Sequence, residues 1–126
     1  MPNKNLFPQQ LAEIKSWRTV ELLPSSYVAL HWDWTTFEMR TADLIVLKQS
    51  LSDWFRHPQI EMEFYALYMG DNYLVLSYSD LIDLYQLLSD AVSRLPRQIV
   101  RWADMKISIQ PLSDNYFVTQ GRFSLN

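Results

Sequence analysis

The chain has 126 residues, of which 48% are hydrophobic, 14% aromatic and 20% charged, the balance of one globular domain rather than of a disordered segment. No cysteine and only 2 glycines are present, which excludes disulfides, thiolate metal sites, iron–sulfur clusters, thiol catalysis and Gly-rich phosphate loops. The net charge of -3 is unevenly placed: residues 1–93 carry 6 basic against 12 acidic side chains, residues 94–126 carry 5 against 2.

Met1–Gln10 lacks the apolar core of a secretory signal, and no stretch approaches the ~20 apolar residues of a membrane span. The expectation is a cytoplasmic protein without membrane association. Pro8–Trp17 reads as a short helix, with Pro8 in its first turn and Leu11, Ile14 and Trp17 at helical spacing. Thr19–Leu23 reads as a strand ending at Pro24. In Tyr27–Trp34, alternation sets Val28, Leu30, Trp32 and Trp34 on one face, and Tyr27, Ala29, His31 and Asp33 on the other. Thr35-Thr36 is the expected turn into a second strand, where Phe37 and Met39 face inward.

Thr41 then offers a helix cap and Asp43 a first-turn acid, ahead of Leu44, Leu47, Leu51 and Trp54 at helical spacing and a stop at Pro58. Ile60–Met69 reads as a strand, Gly70-Asp71-Asn72 as a turn, and Leu74 and Leu76 as the inward side of the returning strand. Ser77 and Asp80 have the spacing of a capping box before a stripe of Leu81, Leu84, Leu88, Val92 and Leu95 that ends at Pro96. Met105–Gln110 and Tyr116–Phe123 complete the chain as a closing hairpin over about 104–124.

Residues 37–54 and 74–91 align without a gap at a shift of 37, with 8 identities: Asp43/Asp80, Leu44/Leu81, Ile45/Ile82, Leu47/Leu84, Gln49/Gln86, Leu51/Leu88, Ser52/Ser89 and Asp53/Asp90. This predicts a duplicated β-β-α unit spanning about 27–57 and 60–95. The expected fold is one α+β domain over 1–126. It has an antiparallel sheet of about six strands with two main helices on one face, plus the C-terminal hairpin and the N-terminal helix over 8–17.

Nothing in the chain carries an enzyme signature. Glu61 and Glu63 are a carboxylate pair on one strand, but a charged strand face that meets water accounts for them. Serines occur without a Gly-x-Ser-x-Gly elbow. If Leu74 and Leu76 meet the helices, then Tyr65, Leu67, Met69, Tyr73 and Val75 form an apolar patch on the opposite sheet face, covered by the N-terminal helix or by another chain. The leading expectation is a non-enzymatic protein-interaction or regulatory domain acting through that face, as a homo-oligomer or with a protein partner. The alternative is a small-ligand or metal-binding protein, an enzyme among its forms, centred on His31 and Asp33. Two such side chains fall short of a metal site, and no cofactor is implied. A third reading is weak nucleic-acid binding through Arg94, Arg97 and Arg101, set against an acidic chain.

Overall fold

Alternation and helical spacing place most of the core without further help. Val20, Val28, Leu30, Trp32 and Met39 are buried at period two, and Leu44, Leu47, Leu51, Leu81, Leu84 and Leu88 at helical spacing. The computed structural model describes residues 8–57, 61–96 and 105–112. Their elements are β1 (Gln9–Lys15), β2 (Arg18–Leu22), β3 (Tyr27–Trp32), β4 (Thr35–Arg40), α1 (Thr41–Arg56), β5 (Phe64–Met69), β6 (Asn72–Leu76), α2 (Tyr78–Ser93) and β7 (Ile107–Leu112). The chain is α+β and antiparallel, but its strands form two sheets, in the orders β1-β2-β3-β4 and β6-β5-β7.

That arrangement replaces the expected single sheet with both helices on one face. Helix α1 touches β3 and β4 of the first sheet and β7 of the second, and α2 touches β1, β2 and β6. The reason is visible on α2, where Leu87 is fully buried beside the stripe of Leu81, Leu84, Leu88 and Ala91. An apolar face of that width needs cover on more than one side. Residues from both sheets and both helices share one continuous core cluster. No described helix is long and apolar enough to cross a membrane.

The segment expected as an N-terminal helix is strand β1. Its pairing with β2 shifts register between Gln10 and Ala12 and again between Glu13 and Lys15. Each bulge adds one residue to the strand and breaks its period of two. Leu11, Ala12 and Ile14 therefore turn inward at a spacing that imitates a helix. Instead of covering a sheet face, β1 extends the first sheet by one strand.

The starts of β3, β4 and α1 recur 37 positions later as the starts of β5, β6 and α2. The two helices begin differently despite their matched acids. At α2, the Ser77 hydroxyl accepts the Asp80 backbone N–H at 3.1 Å, and the Asp80 carboxylate accepts the Ser77 N–H at 3.4 Å. At α1 the cap position is Arg40 rather than Thr41, with no side-chain cap, and the buried Asp43 accepts the Met105 N–H at 3.2 Å. Asp43 thus ties the helix to the approach of β7. Ser77→Ala is expected to cost about 1 kcal/mol of stability, read as a lowered urea midpoint with an unchanged slope.

Candidate functional site

The chemistry of the first sheet gathers at one end, where the β1–β2 and β3–β4 turns lie side by side. The second turn is Asp33-Trp34 rather than Thr35-Thr36: Trp32 pairs with Thr35 and His31 with Thr36. Asp33 adopts φ 56, a left-handed conformation that Asp tolerates and a β-branched Thr resists. Three ties hold the two turns together. The Asp33 N–H donates to the Trp17 carbonyl at 2.7 Å. Arg18 grips the Asp33 carboxylate with two bonds, Nε to Oδ1 at 2.8 Å and Nη2 to Oδ2 at 3.2 Å. Finally, the Trp17 and Trp34 rings stack at 4.9 Å between centroids, tilted by 37°.

Arg18 is the centre of this arrangement. It is buried on the core side of β2, with its guanidinium carbon 4.0 Å from the centre of the Trp32 ring. Its Nη1 also meets Asp80 at 3.1 Å and Asp83 at 3.4 Å, both on α2. One guanidinium therefore serves three carboxylates and a π face, which its planar fork of donors permits and a lysine would not. The Asp33 carboxyl is held below its ordinary value chiefly by these hydrogen bonds from Arg18. Arg18 in turn is pushed up, first by Asp33, against the opposing effect of its own burial.

The aromatic pair is open to solvent, Trp34 at 87% and Trp17 at 58%. With Ser16, Thr19, His31, Asp33 and Thr36 the two rings wall a shallow depression of about 370 Å³. His31 is bonded at both ring nitrogens, Nε2 to Glu21 at 2.5 Å and Nδ1 to Thr36 at 2.9 Å. His31 and Asp33 both line the depression, His31 bonded to Glu21 and Thr36 and Asp33 to Arg18. Among the described residues no group of three His, Asp or Glu side chains is placed to hold a metal. The outer side of this sheet also carries Glu21 and Glu38, which flank Ala29 on the neighbouring strands.

Comparison with protein-family models, curated proteins and solved structures finds no significant match in any of the three.

The other expected site residues are dispersed. Tyr65, Leu67 and Met69 are buried in the core, whereas Tyr73 and Val75 are exposed at 47% and 40%. The five do not form one patch, because Tyr65 lies opposite Leu76 and Leu67 opposite Leu74 across the β5–β6 hairpin. Residues directly opposite share a face, so Tyr65 and Leu67 must join the inward Leu74 and Leu76. Arg94 donates to the Leu11 carbonyl at 2.8 Å and so ties the end of α2 to β1; Arg97 and Arg101 lie outside the described residues. Glu61 and Glu63 precede β5 and are not strand neighbours. Trp17 and Trp34, expected inward, are both exposed, and Arg18 joins the site without a local sequence signal. The signal for the turn is Asp33, a better turn residue than the two β-branched threonines.

Proposed function

We propose that this chain is a non-enzymatic binding domain that docks a basic segment of a partner protein on the Trp17–Trp34 surface. The observation that carries the reading is the pair of tryptophans left in solvent on two turns that an ion pair and a backbone hydrogen bond hold together. Large aromatics on a rigid support bind with little loss of conformational freedom, and tryptophan and arginine dominate interface energetics. Charge selects the kind of partner. Asp33, Glu21 and Glu38 lie beside the rings or on the adjoining strands, and a lysine or arginine over an indole face gains a cation–π contact as well. Binding to nucleic acid is disfavoured by the same carboxylates. A small polar ligand is the second reading, favoured by the hydroxyls of Ser16, Thr19 and Thr36 around the depression. The docked segment is preferred because the larger feature is the exposed ring pair.

A synthetic arginine–serine repeat peptide tests this by fluorescence titration at low and moderate salt. Binding is expected to weaken as salt rises and to drop about tenfold or more in Trp34→Ala. A glutamate–serine repeat should not bind. Equal binding by wild type and Trp34→Ala, or none by wild type, would refute the proposal.

A further inference from the structure

The two sheets leave four edges among the described residues, and three of them carry features that discourage pairing with another chain. β1 has two bulges together with Glu13 and Lys15, β4 has Glu38 and Arg40, and β7 has Pro111. Charges, bulges and prolines on edge strands are the usual means by which sheets avoid joining edge to edge. β6 has none of these. It reads Asn72-Tyr73-Leu74-Val75-Leu76, uncharged and free of proline, and it stays in unbroken register with β5. Its outward side chains Tyr73 and Val75 are also exposed.

We infer that β6 is a self-association edge, which pairs antiparallel with β6 of a second copy. The sequence of the strand argues for a second copy as the occupant. A two-fold axis at Leu74 sets Tyr73 against Val75 of the partner subunit, and Val75 against the partner subunit's Tyr73. Aromatic and β-branched side chains are a favourable cross-strand pair, and here the symmetry forms that pair twice. The same register puts the two Leu74 side chains together on the inward face and turns two three-stranded sheets into one of six. No charge is opposed to a like charge anywhere along the strand.

Solution mass by light scattering over a roughly 100-fold concentration range tests the inference, since association follows mass action. The wild-type mass is expected to rise from 15.0 kDa toward twice that value. Val75→Lys should stay at the lower mass, and Tyr73→Lys serves as a second variant if Val75→Lys folds poorly. Glu38→Lys, on the β4 edge, should associate as wild type does. Amide exchange of β6 is expected to slow as concentration rises. A wild type that stays monomeric throughout would overturn the inference. So would a dimer that survives both lysine variants, or one whose amide protection falls on another strand. The Trp34→Ala variant should dimerise normally, so failure of this inference and failure of the proposed binding site are read separately.

Discussion

Leu67→Glu is expected to leave no cooperatively folded protein. Leu67 is fully buried in the central strand of the second sheet, opposite Leu74 and Ile109 on its two neighbours. A glutamate there is set among the apolar side chains of the core cluster. Its carboxyl group must either be buried in its charged form or be protonated, and burying such a group costs several kcal/mol beyond the lost leucine packing. The sum is about 4 kcal/mol or more, a large part of the ~5–15 kcal/mol that stabilises a domain of this size. Loss of the near-ultraviolet circular dichroism signal and rapid proteolysis would report it. Val75→Asp, one position from Leu74 on β6, should stay folded and lose no more than about 1 kcal/mol, since its side chain already meets water. If both variants fold equally well, the assignment of faces in this hairpin is wrong.

The second large effect is at Arg18. Arg18→Met keeps much of the apolar stem but leaves Asp33, Asp80 and Asp83 facing one another without their shared cation. Removing one partner of a buried ion pair costs about 3–5 kcal/mol. The lower end applies here, because the Asp33 side chain is 48% exposed and solvent screens part of the interaction. Arg18→Lys should fall between the two, keeping the charge but not the paired contact with Asp33. The pH dependence has a definite sign. The Asp33 carboxyl is held below the ordinary carboxylate range in the folded chain, chiefly by the Arg18 hydrogen bonds, so its pairing stabilises at neutral pH and is lost as the pH falls through the depressed value. The stability gap between wild type and Arg18→Met should therefore narrow below about pH 4, as measured by urea denaturation at a series of pH values. A gap that stays constant into strong acid would mean that Arg18 contributes through Trp32 alone.

Much of the fold was legible in the sequence because most of its elements are regular. The leucine stripes of α1 and α2, the Ser77–Asp80 capping box and the alternation in β3 and β4 each follow from one local rule. The errors fell where two rules compete. In β1, bulges gave a strand the burial spacing of a helix. At Asp33-Trp34, turn chemistry competes with strand alternation, and the turn takes Trp34 out of the core face that alternation predicts. In β5, alternation along one strand leaves the choice of face open, and it is the Gly70-Asp71 turn that fixes Leu67 opposite the inward Leu74. The site was less legible for a further reason. Arg18 joins Asp33, Asp80 and Asp83 across as many as 65 positions of sequence, a grouping that no local pattern contains. His31 and Asp33 are legible as neighbours on one strand face, whereas their partners Glu21, Thr36 and Arg18 come from other strands.

Docking of a partner on the solvent-facing tryptophan pair, as proposed above, can be followed at the rings themselves. The chain has five tryptophans, Trp17, Trp32, Trp34, Trp54 and Trp102, and each contributes one indole N–H resonance. Titration of the labelled full chain with the arginine–serine peptide should shift the Trp17 and Trp34 signals. Trp32 should respond weakly, through Arg18, and Trp54 not at all. A spectrum that does not change, or one in which Trp54 moves while Trp17 and Trp34 stay still, would rule out docking at this surface.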